Sequence, residues 1–153
     1  LGYPGETEND FELLQRFQEK ARFDWMGAFV FSPQEGTRGW ELAQGSDAVA
    51  ESVAEERARL LYEAQERITA EQLRRYLGSR HRLLVEEGIK GEDLYFARGA
   101  MQAPEVDGTV VLSAPEGSLT PGSFIDALVT DSDSYDLRAR LFPSSAETFA
   151  SGA

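Results

Sequence analysis

Few residues in this chain could do chemistry, and their spacing limits what that chemistry is. Acidic pairs stand at Glu55-Glu56, Glu86-Glu87 and Glu92-Asp93. Paired carboxylates can serve acid–base or metal chemistry, but adjacent helical residues do not share a face. No His or Cys accompanies them at ligand spacing, so they read as solvated surface. His81, the single histidine, sits between Arg80 and Arg82. One imidazole makes no metal site, and its place at a strand start reads as structural. None of the 153 residues is cysteine. These positions therefore offer no disulfide, no thiolate zinc site and no ordinary iron–sulfur ligand.

What remains is a set of turns. Gly2-Tyr3-Pro4-Gly5-Glu6-Thr7 reads as a strand–turn–helix junction. Glycine there lets a ligand approach the backbone closely. Ser32-Pro33 with Glu35-Gly36-Thr37 reads as a second loop after a strand. Sheets of the parallel α/β type bind ligands beyond the C-terminal ends of their strands. Gly2, Pro4, Gly5 and Ser32 are accordingly candidate walls of one pocket, although each loop alone is ordinary punctuation. Ala103-Pro104-Glu105-Val106-Asp107-Gly108 is a rigid turn: proline fixes one dihedral and Asp-Gly closes a hairpin.

These turns need elements to hold them. Thr7 can cap a helix, with Asp10 three residues on reaching back and Glu6 and Glu8 near the positive end of the dipole. Phe11, Leu14 and Phe17 give that helix an apolar face, and it fades near residues 21–24. Residues 25–31 predict a short buried strand, which together with the helix makes an α/β unit. Residues 38–46 read as a linker. A long helical pattern runs over 47–77 with Val49, Val53, Leu60, Leu61, Ala64, Ile68 and Leu73, weakest at Ile68-Thr69, and Gly78 stops it. Arg57 and Gln65 lie on this helix and can bridge to a neighbour.

From Arg80 the period changes to two. Residues 80–87, 94–98, 109–112, 124–131 and 135–141 read as five short strands between turn residues, the pattern of a small barrel. The fold class is thus α/β followed by all-β, organised as 1–45, 46–79, 80–142 and a small polar tail, 143–153, expected to be disordered. Without neighbouring parallel strands, 25–31 would be an exposed apolar edge.

The net charge is −12 and the acid is spread out. Residues 1–79 carry 9 basic and 15 acidic side chains, and residues 80–142 carry 6 and 11. Neither half has the clustered Lys and Arg of a nucleic-acid footprint, and an acidic surface favours a basic partner. No run approaches the ~20 apolar residues of a membrane span, and no secretory signal opens the chain. The absence of cysteine fits a reducing, cytoplasmic setting. The chain begins at Leu1, immediately before a turn, as expected of a piece of a longer protein.

Together the motifs resemble one family. Gly2 to Thr7 with Asp10-Phe11 resembles the GFPGETEEDF stretch of radical-SAM methylthiotransferases. Phe23-Asp24, Gly27, Phe29, Ser32-Pro33 and Glu35-Gly36-Thr37 resemble their FD…G.F.YSPEEGT stretch. Ala103 to Gly108 and Tyr135-Asp136-Leu137 are similar to the APEVDG and YDL signatures of the RimO-type branch. Gln102 stands where that branch has an acid. The resemblance implies that 1–45 are the last elements of a radical-SAM partial barrel and that 80–142 are a TRAM domain, an OB-like five-stranded barrel. It implies an intact enzyme that transfers a methylthio group to an aspartate of a small-subunit ribosomal protein, using S-adenosylmethionine and two 4Fe–4S clusters. The cluster cysteines are not in these positions, so the chain alone is expected to be inactive. The resemblance places Gly2, Pro4, Gly5 and Ser32 by the S-adenosylmethionine pocket. It makes Arg98, Glu105, Asp107 and Tyr135 the face for the protein substrate. The alternatives are a tRNA methylthiotransferase piece with an RNA-binding TRAM domain, disfavoured by the acid balance and APEVDG, or a non-catalytic OB-like module.

Overall fold

The computed structural model describes residues 1–143; of the expected tail, 143–153, all but Pro143 lies outside them. The chain divides into two units, residues 1–72 and Leu73 onward.

The first unit is built on two helices. α1 spans Glu8–Ala21. The Thr7 hydroxyl accepts from the Asp10 N–H, and the Asp10 carboxylate accepts from the Thr7 N–H at 2.9 Å. Both bonds of a capping box are thus made, satisfying two otherwise orphaned donors. Arg22 closes the helix in the left-handed region, φ 49°. α2 is a six-residue helix, Arg38–Ala43, inside the expected linker. The Thr37 hydroxyl caps it by accepting from the Trp40 N–H at 3.2 Å, a signal hidden in a loop-like stretch.

α3 runs unbroken over Glu51–Leu73, with no interruption at Ile68-Thr69. The Thr69 hydroxyl, which could have opened the helix, instead accepts from the Gln65 amide at 3.0 Å. The buried stripe of α3 is Ala54, Arg57, Ala58, Leu61, Gln65, Ile68 and Thr69, a 3–4 spacing. Three of these are polar, and Val53 is exposed. On α1 the buried residues are Phe11 and Gln18, whereas Phe17 faces out and stacks obliquely on Phe23 at 5.8 Å. The Gln18 amide donates to Leu61 O (2.9 Å) and Gln65 Oε1 (3.1 Å), and the Gln65 amide donates on to Phe23 O (2.8 Å). A chain of side-chain amides, more than an apolar seam, fixes α1 on α3.

Residues 25–31 form no strand, and Trp25 lies in a bend. The Leu1 nitrogen donates to Phe29 O (2.7 Å) and the Phe31 N–H donates to Leu1 O (2.7 Å). These are the two rungs of one parallel bridge, too few for a ladder. The expected strand therefore lacks a neighbouring ladder. Phe29 is 81 % exposed, and Leu13 and Phe17 are also exposed, as an unfilled apolar edge predicts.

The second unit begins in a 3-10 turn, Arg74–Tyr76, followed by Gly78 at φ 75°. Five strands follow: β1 Arg80–Gly88, β2 Leu94–Gly99, β3 Val110–Ser113, β4 Phe124–Ser132 and β5 Leu137–Leu141. They close into a barrel in the order β1-β2-β3-β5-β4, with β3 and β5 parallel and every other pair antiparallel. Alternation sends Leu83, Val85, Tyr95, Ala97, Val110, Leu112, Ala127, Val129, Leu137 and Ala139 inward, each at most 2 % exposed. Bulges interrupt β1 between Val85 and Glu87 and β4 between Val129 and Asp131. Each tightens local twist and helps a short sheet close.

Candidate functional site

Two recesses gather the residues expected to matter, one in each unit. In the first, a cavity of about 470 Å³ is lined by Gly2, Pro4, Ser32 and Pro33, together with Val49 and Ala54. The size falls within the range of small-molecule sites, roughly 300–1,000 Å³. Gly2 is required at its position twice over. Its φ is 80°, and a Cβ there would lie 2.5 Å from Ala54 Cβ. Gly5, at φ 90°, does not line the cavity; its N–H donates to Asp47 O at 2.8 Å and shapes the turn.

Beneath this turn lies a clamp that the motif reading of the turn did not single out. Glu6 Oε2 accepts from the Gly2 N–H (2.9 Å), and Glu6 Oε1 accepts from Arg57 Nη1 (2.6 Å). Arg57 Nη2 also bonds Glu8 at 3.0 Å, and the guanidinium lies over the Phe11 ring at 5.4 Å. The Arg57 side chain is 7 % exposed and that of Glu6 17 %. Burial lowers the guanidinium pKa, but the bonds to Glu8 and Glu6 outweigh it and raise the pKa overall. The signal in the sequence was a lone arginine on the buried stripe of α3.

In the second unit a groove of about 370 Å³ brings together Arg98, Glu105 and Asp107 with Glu86, Glu87 and Phe96. Its outer wall is the β2–β3 connection. The turn there differs from the expected Asp-Gly hairpin: the left-handed φ falls on Glu105 (61°), not on Gly108. The Asp107 carboxylate accepts from the Ala103 N–H at 2.7 Å and ties the loop across its own base. Gln102, buried, holds it from inside by accepting from the Gly99 N–H (2.9 Å) and donating to Gly108 O (2.5 Å). An amide serves here where a carboxylate could only accept. Arg98 Nε lies 2.7 Å from Glu86 Oε1, a charge contact without hydrogen-bond alignment. Glu86 and Glu87, expected as plain surface, are thus groove residues.

Tyr135 lies beside the groove loop rather than in the groove lining: its hydroxyl donates to Val106 O at 2.9 Å. The turn that presents it is organised by Asp133, whose carboxylate accepts from the Asp136 N–H (2.8 Å) and the Tyr135 N–H (2.9 Å). Those two bonds, Asp136 first, hold the Asp133 carboxyl below its usual value. A depressed carboxyl stabilises the fold above its unfolded pKa, and that contribution is lost as pH falls through the folded value. Amide protection at Tyr135 and Asp136, corrected for intrinsic exchange, should therefore drop below about pH 4. The Asp133→Asn variant should show no such drop; an identical pH profile in the variant would assign the effect elsewhere.

The family model of the TRAM domain matches residues 77–141. The ribosomal protein uS12 methylthiotransferase RimO of Aromatoleum aromaticum is 44 % identical over 142 residues, covering 93 % of this chain and 31 % of that protein. The chain is homologous to the RimO-type methylthiotransferases. The RimO protein of Bacteroides thetaiotaomicron is 39 % identical over 92 % of the chain, and that of an Azoarcus strain 43 % over 90 %. The chain spans about a third of the length of these RimO relatives. The TRAM match covers the five-stranded barrel, and the RimO matches extend across both units. No described helix is long and apolar enough to cross a membrane.

Proposed function

We propose that this chain is the substrate-gripping C-terminal part of a RimO-type enzyme that adds a methylthio group to an aspartate of ribosomal protein uS12. The observation that carries the reading is the barrel groove, where carboxylates and one arginine stand around an exposed phenylalanine. Glu105 and Glu87 meet cationic side chains of a basic protein. Arg98 orients a carboxylate or carbonyl of the substrate, through donors suited to planar oxygen pairs. Asp107 and Tyr135 act by holding the loop and its neighbouring turn.

The first unit fits one wall of a site for S-adenosylmethionine. The cavity has the size for it, and Gly2 leaves backbone open to the ligand. Gly2, Pro4 and Ser32 would border the molecule, and Gly5 shapes the turn that presents them. Bound S-adenosylmethionine and two 4Fe–4S clusters would supply the radical chemistry and the sulfur. This chain has no thiolates to hold a cluster, so those ligands belong to other residues of a full enzyme, and these residues alone bind and position without turnover. The setting we propose is cytoplasmic.

Calorimetric titration of the full chain with purified uS12 tests the groove. Glu105→Arg should weaken the association about tenfold, or ~1.4 kcal/mol, while leaving the melting temperature of the chain unchanged. Equal affinity of variant and wild type, or no binding by either, would refute the assignment.

A further inference from the structure

The clamp beneath the first turn of the chain does more than brace a helix. Tyr3 to Glu6 follow the pattern of a type II turn: the Glu6 N–H donates to Tyr3 O at 2.9 Å, Pro4 takes the second place, and Gly5 takes the third at φ 90°. The residue that closes this turn also anchors what precedes it. One carboxylate oxygen of Glu6 accepts from the Gly2 N–H at 2.9 Å, and the other accepts from Arg57 Nη1 at 2.6 Å. Glycine has more freedom to lose than any other residue, so Gly2 stays at φ 80° only if bonds hold it there. The rungs through Leu1 fix its neighbour. The Glu6 carboxylate fixes Gly2 itself.

α3 meets this turn at two points. Ala54 lies against Gly2, where an added Cβ would come within 2.5 Å. Arg57, three residues on and on the same face, stands about 4.5 Å further along the helix axis and reaches the turn through Glu6. The cavity lies between the same two elements. Gly2 and Pro4 line it from the turn, and Val49 and Ala54 line it from the start of α3. Neither Arg57 nor Glu6 lines it. The pair therefore sets the distance between two walls from outside the space they enclose. Both side chains are largely buried, and a charge-assisted bond away from water holds its geometry better than a neutral one. Glu8 bonds the same guanidinium at 3.0 Å but is exposed, so it supports Arg57 and not the wall.

We propose that Glu6 and Arg57 are positioning residues for S-adenosylmethionine, holding the Gly2–Pro4 wall at the spacing the ligand needs without touching it. The inference rests on the reading of this cavity as one wall of the S-adenosylmethionine site. Its physical ground is preorganisation. A turn that is ordered before binding loses little freedom when the ligand arrives. A turn that is ordered only part of the time binds with an affinity reduced by the competent fraction. The sequence hides the pair because its members lie fifty-one positions apart, and only the packing of α3 on the turn joins them.

The test is an NMR titration of the isotope-labelled full chain with S-adenosylmethionine, well below the melting temperature, followed at the Ser32, Val49 and Ala54 amides. Saturable shifts are expected in the wild type. Glu6→Ala should weaken binding about tenfold, as for a turn competent roughly a tenth of the time. Glu6→Gln keeps an acceptor for the Gly2 N–H, and Arg57→Lys keeps the charge, so each should lose only about threefold. The control is Gln18→Ala, which breaks the amide chain between α1 and α3 away from the turn. It should lower the melting temperature of the first unit and bind as the wild type does. Backbone relaxation without ligand should show order lost at Gly2 and Gly5 in Glu6→Ala and kept in Gln18→Ala. Wild-type affinity in Glu6→Ala, or an equal loss in Gln18→Ala, overturns the positioning role alone. Absence of saturable shifts in the wild type overturns the S-adenosylmethionine reading of the cavity, and the positioning role with it.

Discussion

Arg57→Ala is expected to destabilise the first unit by about 3 kcal/mol, seen as a shift of its denaturant midpoint with the barrel transition unmoved. The size follows from what is left behind. Removing one partner of a buried ion pair costs ~3–5 kcal/mol because the other charge stays desolvated. Glu6 is 17 % exposed and keeps its bond from the Gly2 N–H, which places the loss at the lower end. Glu8 is 73 % exposed and returns to water at little cost. Arg57→Lys should recover only part, since one ammonium cannot fork between two carboxylates. Adding Glu6→Gln to Arg57→Ala should restore stability relative to Arg57→Ala alone, because no charge is then stranded. A loss under ~1 kcal/mol for Arg57→Ala would mean that water reaches the clamp freely.

Gly2→Ala should cost about 2–4 kcal/mol, from two sources that act together. A left-handed φ costs a side-chain-bearing residue ~1–2 kcal/mol, and forcing a methyl against Ala54 adds ~1–3 kcal/mol of overpacking. Ala54 sits 2 % exposed on a helix backbone and cannot rotate away. Part of the strain should be relieved by Ala54→Gly in the same chain, despite the helix propensity lost. Failure of that second change to recover any stability would place the strain in the dihedral alone. The same methyl would narrow the cavity, so a crystal structure of the variant should show the turn displaced from α3.

How much of this could be read without coordinates depends on the range of the interactions. The Thr7 capping box, the end of the long helix near Gly78 and all five strands were legible, because caps, glycines and period-two alternation act within a few residues. The motif similarity to the RimO-type branch was legible for the same reason: it needs only residue types in order. Residues 25–31 illustrate the limit. Their composition suits a buried strand, but a strand also needs neighbours, and only Leu1 supplies rungs. Phe17 shows a related miss. Helical spacing put it with Phe11, but the side of α1 that meets α3 is chosen by Gln18 and its amide partners.

By itself the sequence determined the Thr7 cap, the strand count and the absence of thiolates to hold a cluster. Tertiary structure decided which charges meet. It buried Arg57 against Glu6 and set Arg98 beside Glu86. The reason is physical: backbone preference is a property of adjacent residues, whereas an electrostatic contact depends on which distant segments barrel closure and helix packing bring within a few ångströms.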